Sequence, residues 1–246
     1  MSARPHVVIS DVHLGAIPEA RERRFLEFLA SWRGRAEQIV FNGDLFDFWF
    51  EYRSVIPARE FPVLRVLADL RDSGVRLSLL GGNHDAWGGR FLRETLGIEL
   101  LEGPVRLRLA GWRVWAAHGD GVGAGDLGYR VLKGVLRHPW FVHAARALVH
   151  PDWAEWLARR VSQTGDPSTR DRARSQARAS ALAEFARARL REDPGIDVVL
   201  LGHCHVPERI EVEPGRYYVN AGDWVTHESY AIFEPDRVEV RSGDEG

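Results

Sequence analysis

The stretch Asn42-Gly43-Asp44-Leu45-Phe46-Asp47 decides how the rest of the chain is interpreted. It follows the apolar segment Gln38 to Phe41, whose composition is typical of a buried strand. Gly43 gives the backbone the freedom to turn, so the carboxylate of Asp44 is expected at the end of that strand. An Asp that follows a Gly is common in ordinary turns, and Asp44 alone therefore indicates little.

Four other stretches share this sequence pattern, because each places polar side chains directly after an apolar, strand-like run. They are Asp11-Val12-His13, Gly82-Asn83-His84-Asp85, His118-Gly119-Asp120 and Gly202-His203-Cys204-His205. Open α/β sheets place their sites at the carboxyl ends of their strands. The sequence therefore predicts one site to which all five stretches contribute.

The side chains at these positions are typical metal ligands: two carboxylates, one amide and four imidazoles. Any one of them could be a packing or turn residue, but seven together predict a binuclear metal centre in which two ions share one carboxylate. We expect Asp44 to be the shared ligand. Mn²⁺ is the expected metal, and Fe and Zn ions fit the same set. The predicted ligands are Asp11, His13, Asp44, Asn83, His118, His203 and His205.

The spacing of the ligands suggests which side chains face the metal ions. An extended backbone would point Asp11 and His13, two residues apart, to the same side. The same alternation would turn Cys204 away from its two histidine neighbours, so Cys204 is left out of the predicted ligands. Asp47 is either a turn residue or a partner that supports a ligand from outside.

Length and composition limit the other possibilities. With 246 residues, the chain is long enough for one large α/β domain over residues 1–246. Its 33 basic and 35 acidic residues balance to a net charge of −2, so no nucleic-acid partner is predicted. No apolar run approaches a membrane span, and the N-terminus lacks a signal-like design. A single cysteine favours a reducing compartment, so we expect a cytoplasmic protein without an obligate protein partner.

Residues 121–191 interrupt this pattern as a predicted helical insertion. Asp126 can cap its first helix, and Pro151 opens a later helix that has Trp153 and Trp156 on one face. An arginine-rich helix ends the insertion. Two interpretations stay open: a structural cap with a solvated arginine face, or a lid with an apolar groove and a basic rim that binds substrate.

At the five polar stretches the chain resembles the calcineurin-like metallophosphoesterases, whose ordered blocks match DVH, GDLFD, GNHD, HGD and GHCH. The resemblance implies a four-layer α/β/β/α sandwich with a helical lid insertion. It also implies one metal ion held by Asp11, His13, Asp44 and His205, and a second held by Asp44, Asn83, His118 and His203. His84 would stabilise charge or protonate the leaving oxygen, with Asp85 orienting its ring.

Within that family the chain is most similar to the UDP-2,3-diacylglucosamine pyrophosphatases of lipid A biosynthesis. The shared features are GDLFDFW, Asp126 and Tyr129 in the insertion, and the segment Gly222-Asp223-Trp224. This similarity implies hydrolysis to UMP and 2,3-diacylglucosamine 1-phosphate. The apolar helices would take acyl chains and contact the inner face of the cytoplasmic membrane peripherally, and Arg159 or Arg160 would meet a phosphate.

One position departs from the pattern of those pyrophosphatases, which commonly carry Arg where this chain has His84. The departure leaves the substrate open. The alternatives are a metallophosphoesterase that acts on another phosphodiester or phosphomonoester, and a non-catalytic protein-binding scaffold of the same fold.

Overall fold

The computed structural model describes residues 4–52, 54–82, 89–121, 149–150, 153, 156 and 169–243. Within these residues eleven strands form two mixed sheets of six and five strands. Three α-helices, α1 (Glu19–Ser31), α2 (Phe61–Asp72) and α3 (Thr169–Glu192), are described with them.

The first sheet has the strand order β11-β10-β1-β2-β3-β4. Four of its strands run parallel, and the last two strands of the chain add an antiparallel edge beside β1. The strands are β1 (His6–Ile9), β2 (Gln38–Phe41), β3 (Arg76–Leu80), β4 (Glu99–Leu101), β10 (Ser229–Glu234) and β11 (Arg237–Ser242).

The second sheet has the order β5-β6-β7-β9-β8. Its three central strands run parallel, and each edge strand is the antiparallel partner of its neighbour. The strands are β5 (Val105–Leu109), β6 (Trp112–Ala116), β7 (Val198–Leu201), β8 (Glu208–Glu213) and β9 (Arg216–Asn220).

Alternation along the buried strands separates the layers of the fold. In β1, Val7 and Ile9 pack with the apolar faces of α1 and α2, whereas Val8 packs between the two sheets. In β7, Val198 packs between the sheets, and Val199 faces α3. Because successive side chains point to opposite faces of a sheet, both sheets are covered on two sides. This confirms the predicted α/β/β/α sandwich.

The strand predicted at Gln38 to Phe41 is β2, with the same bounds. The sequence analysis missed β4 and the single π-helical turn at Phe91–Thr95 that precedes it. Both are short, so neither shows the sustained periodicity that predicts an element.

Most of the predicted insertion lies outside the described residues, including its first helix and the segment that carries Asp126. Trp153 and Trp156 are helical and exposed, at 76% and 59%. The buried face of α3, which includes Leu182 and Ala186, packs against the second sheet and so forms an outer layer of the sandwich. In the part of the chain that the structure describes, no helix has the length and apolar character needed to cross a membrane.

Glu51 joins the segment after β2 to the segment after β3. Its side chain is buried. Oε1 accepts hydrogen bonds from the Gly89 and Leu92 amides (2.8 and 3.3 Å) and from the Trp49 indole (3.2 Å). Oε2 accepts one from the Phe91 amide at 2.9 Å. One carboxylate therefore satisfies the free N–H groups at the start of the π-helical turn.

We expect Glu51→Gln to destabilise the fold by about 1.5–3 kcal/mol, because the amide must turn its NH₂ group toward at least one N–H donor. Urea unfolding of the variant and the parent measures this loss. Glu102→Gln, at an exposed position, is the matched control and should unfold like the parent. Coincident curves for Glu51→Gln and the parent would contradict the role given to this carboxylate.

Candidate metal centre

The polar stretches lie where parallel strands of both sheets end. Asp11 and Asp44 follow β1 and β2 of the first sheet, and His118 and His203 follow β6 and β7 of the second. Backbone pairing continues beyond the strands: the Val12 amide donates to the Asp44 carbonyl oxygen at 2.8 Å, and the Gly202 amide to that of His118 at 2.8 Å. These backbone hydrogen bonds hold neighbouring turns against one another without any contribution from side chains.

Six of the seven predicted ligands fall into two groups that could each hold a metal ion. One group is Asp11, His13 and His205, and the other is Asp44, His118 and His203. Within each group the candidate ligand atoms lie within 4.8 Å of one another. The seventh predicted ligand, Asn83, lies outside the described residues.

Asp44 lies between the two groups. Its Oδ2 is 3.2 Å from His118 Nε2 and 3.8 Å from His13 Nε2. The Asp11 carboxylate lies closer to the first group, since its Oδ1 is 3.4 Å from His205 Nε2 and 4.0 Å from His118 Nε2. Both carboxylates therefore lie within 4.0 Å of a histidine from each group, and Asp44 makes the shorter pair of distances.

The backbone at these residues is left-handed, and the expected extended conformation of Asp11 and His13 is wrong. Of seven non-glycine residues with positive φ in the described part of the chain, five are candidate ligands: Asp11, His13, Asp44, His203 and His205, with φ of 51°, 52°, 54°, 68° and 59°. Residues in this region are strained and cluster at functional sites. The strain bends each turn enough to place both ligands of a pair in the site.

Cys204 lies in a second segment where the expected extended backbone is wrong, although its side chain does point away from the site. Its side chain is buried in the core between the second sheet and α3, and its Sγ accepts a hydrogen bond from Asn220 Nδ2 at 3.1 Å. It lies in neither candidate group. The reason is the left-handed turn at His203 and His205, and not the alternation of an extended strand.

Three glycines leave room for the candidate ligands. A Cβ atom on Gly43 would lie 2.2 Å from His118 Nδ1, and one on Gly82 would lie 2.0 Å from Asp44 Oδ1. A Cβ on Gly202 would lie 2.9 Å from Asp11 Oδ2. Each distance is far below van der Waals contact, so the ligands are seated directly against glycine backbone.

Two of the histidines, His118 and His205, are oriented by acceptors outside the two groups. His118 Nδ1–H donates to the carbonyl oxygen of Asn42 at 2.9 Å, which leaves its Nε2 facing Asp44.

Burial opposes protonation of His118, but the Asp44 and Asp11 carboxylates outweigh it and raise its pKa to about 10. Burial and the neighbouring His118 lower the pKa of His203 to about 4.

The donor set fits divalent cations. His118 Nε2 and Asp11 Oδ1 are fully buried without a hydrogen-bond partner, although Asp11 Oδ2 accepts from the Ser10 hydroxyl and from the His203 amide at 2.9 Å. Buried polar atoms without partners are costly. Nitrogen and oxygen atoms left open in this way suit Mn, Fe or Zn ions.

Asp47 and Asp223 lie behind the histidines of the first group. Asp47 Oδ1 is 3.5 Å from His13 Nδ1, and Asp223 Oδ2 accepts a hydrogen bond from His205 Nδ1 at 2.8 Å. Burial opposes ionisation of Asp223, but hydrogen bonds from His205 and His227 hold its pKa below the ordinary value. The sequence analysis gave Asp223 no role. The signal was present, because Gly222-Asp223 after β9 repeats the arrangement of Gly43-Asp44 after β2.

The remaining predicted site residues fall outside the described residues. They are His84 and Asp85, predicted for catalysis, and Asp126, Tyr129, Arg159 and Arg160, predicted for substrate binding. Their roles stay predictions.

Comparison with known proteins agrees with this geometry. The family described as calcineurin-like phosphoesterase matches residues 5–207 of the chain. The chain belongs to the calcineurin-like phosphoesterase family. It is therefore a metal-dependent hydrolase that acts on phosphate esters, which confirms the reaction class predicted from the sequence.

Relatives with named activities extend over most of the chain. A UDP-2,3-diacylglucosamine hydrolase of Porphyromonas gingivalis is 30% identical over 242 residues, which are 92% of each chain. One from Ectopseudomonas mendocina is 32% identical over 226 residues, 89% of each chain. A dimetal phosphatase structure from Danio rerio is 12% identical, covers 98% of this chain and 96% of its own, and has a TM-score of 0.47.

We expect Gly82→Ala to lower the metal content of the chain at both groups, because the added methyl must displace the Asp44 carboxylate. Elemental analysis after loading with Mn²⁺ and desalting measures the effect, with circular dichroism as the check on folding. Gly34→Ala is the control, since a Cβ there meets nothing within 4 Å, and it should keep the parent's metal content. Full metal content in Gly82→Ala would show that metal binding does not depend on the close contact between Asp44 and Gly82.

Proposed function

We propose that this protein hydrolyses the pyrophosphate of UDP-2,3-diacylglucosamine to give UMP and 2,3-diacylglucosamine 1-phosphate. The observation that carries the proposal is similarity to hydrolases of that name across about nine tenths of the chain. The predicted apolar insertion supports it, since a diacylated substrate needs an apolar surface. We infer a cytoplasmic location with peripheral contact at the inner face of the membrane.

We assign the two candidate groups as the ligands of a binuclear centre. Asp11, His13 and His205 would hold one ion, Asn83, His118 and His203 would hold the other, and Asp44 would be shared. Asp44 Oδ2 lies 3.2 Å from His118 Nε2 and 3.8 Å from His13 Nε2. These distances are shorter than the 3.4 and 4.0 Å from Asp11 Oδ1 to the nearest histidine of each group, which supports the shared role of Asp44. When bound, two divalent ions, which we propose to be Mn²⁺, activate water and neutralise phosphoryl oxygens.

The residues of this chain supply orientation and proton chemistry around that centre. The Asn42 carbonyl oxygen accepts a hydrogen bond from His118 Nδ1–H, so Nε2 is directed into the site. The lone pair of that nitrogen would be aimed at a metal ion that displaces the Nε2 proton. The chain continues from Gly82, seated against Asp44, directly into Asn83 and His84. This connection supports a role for His84 beside the phosphate, as hydrogen-bond donor or as acid to the leaving oxygen, with Asp85 orienting its ring.

The part of the insertion that precedes α3, residues 121–168, is proposed as a lid within one domain over residues 1–246, because α3 itself packs on the second sheet. Its two described tryptophans are exposed, which is unusual for so large an apolar side chain and typical of a binding surface. Asp126 and Tyr129 are proposed substrate contacts, and Arg159 or Arg160 a phosphate contact.

A second candidate function is hydrolysis of another phosphodiester or a phosphomonoester. The observation that favours it is His84, at a position where the resembled pyrophosphatases commonly have Arg. The candidate ligands retained at the strand ends and the family membership both favour catalysis over a scaffold.

Turnover of two substrates in Mn²⁺ tests the proposal. We expect UDP-2,3-diacylglucosamine to be hydrolysed with a higher kcat/KM than bis(p-nitrophenyl) phosphate, with UMP and the lipid sugar phosphate identified by mass spectrometry. Asp44→Ala, purified in the same way, controls for contaminating activity and should be inactive on both. Turnover of the chromogenic diester without turnover of the lipid nucleotide would favour the second function.

The same pair of substrates tests the lid. Trp153→Glu should raise KM for the lipid nucleotide, because a charge on an acyl-binding surface is costly, and should leave the chromogenic diester unaffected. Trp153→Leu keeps the site apolar and is the matched control. An equal loss on both substrates would indicate a structural cap instead.

His84→Ala should lower kcat by about 10²–10⁴-fold if the residue acts in the transition state, with both metal ions retained. His84→Arg separates two roles, because Arg keeps a cationic donor but cannot act as an acid near neutral pH. A sugar phosphate leaves with little protonation, so Arg should restore much of the rate on the lipid nucleotide. Full activity in His84→Ala would exclude both roles.

A further inference from the structure

Asp223 is a buried carboxylate, 1% exposed, that belongs to neither candidate metal group. It lies in the turn that follows β9, and this turn is tied to the metal centre because the Trp224 amide donates to the Asp11 carbonyl oxygen at 3.1 Å. Its two oxygens have different partners. The side chain therefore joins a surface turn to a candidate metal ligand.

The first oxygen, Oδ2, accepts a hydrogen bond from His205 Nδ1 at 2.8 Å. The second, Oδ1, accepts from the backbone amides of Thr226 and His227 at 3.1 and 2.8 Å. It also lies 3.0 Å from His227 Nδ1. Because backbone amides can only donate, any polar atom at the position of Oδ1 must be an acceptor.

The bond to Oδ2 determines which nitrogen of His205 carries the proton. An ionised carboxylate can only accept, so His205 holds its proton on Nδ1 and keeps a lone pair on Nε2. That nitrogen lies 3.4 Å from Asp11 Oδ1, and the ring stacks on His13 with centroids 5.3 Å apart. The lone pair is thus directed at the other members of its group.

We propose that Asp223 is a positioning residue that fixes the tautomer of His205 and thereby controls the affinity of one metal site of the two. The inference rests on the proposed metal centre and adds to it a residue that binds no metal itself. Partners of this kind, behind a metal-bound histidine, typically change metal affinity about 10–100-fold when they are removed.

Asp223→Asn should be unusually harmful to metal binding, although it is nearly isosteric. The amide oxygen must take the place of Oδ1, where two backbone N–H groups need an acceptor. The NH₂ group then faces His205 and donates to Nδ1, which forces the ring proton onto Nε2. A histidine protonated on Nε2 has no lone pair there for a metal ion.

Asp223→Ala acts differently. It leaves the Thr226 and His227 amides without their acceptor, so it should destabilise the fold more than Asn does. It also releases His205 without imposing the wrong tautomer, so the ring can still bind metal. The two variants should therefore rank in opposite orders for stability and for metal affinity.

Titration of the full-length protein with Mn²⁺, followed by electron paramagnetic resonance of the free ion, measures both sites. We expect two sites in the parent, one of them weakened about 10–100-fold in Asp223→Ala and weakened further in Asp223→Asn. Urea unfolding without metal should show the reverse order, with Asn the more stable. His227→Ala leaves the bond to His205 in place and should retain both sites.

Metal affinity in Asp223→Asn equal to or tighter than in Asp223→Ala would overturn the inference, since a purely structural role predicts the same order in both measurements. A parent protein that binds no Mn²⁺, Fe or Zn ion would overturn the proposed centre as well. Asp223→Ser replaces the Ala variant if the latter fails to fold, and the expected order against Asn is unchanged.

Discussion

Strained turns at strand ends are the constraint on which the site depends. Asp11, His13, Asp44, His203 and His205 all have positive φ, a conformation that costs a non-glycine residue of order 1–3 kcal/mol. The cost is tolerated because the parallel strands before these turns are buried on both faces and the turns are hydrogen-bonded to one another. Two packed sheets, each covered by helices, provide the buried strands and the hydrogen-bonded turns. The four-layer fold therefore makes the arrangement possible.

Electrostatics adds a second requirement. Asp11 and Asp44 are almost completely buried, and burying a carboxylate is costly unless it is paired with positive charge. The surrounding histidines can provide that charge as protons, which is why the pKa of His118 is raised. Divalent ions supply it without protons, so the same buried carboxylates that strain the metal-free protein favour metal binding.

Most of the fold and much of the candidate site could be predicted from the sequence. Runs such as Val7 to Ile9 show a buried strand directly, and the polar residues that follow five such runs indicate where the strands converge. Backbone conformation could not be predicted in this way. Left-handed turns at Asp11 and His203 are imposed by contacts between distant strands, and local preference for non-glycine residues argues against them. Glu51 was missed for the same reason, since it binds backbone amides far away in the sequence.

Anomalous diffraction from a crystal soaked in Mn²⁺ tests the central claim most directly. Two peaks about 3.5–4 Å apart are expected, one among Asp11, His13 and His205 and the other among Asp44, His118 and His203, with Asp44 in contact with both. A single peak, or two peaks that share no carboxylate, would contradict a binuclear centre bridged by Asp44.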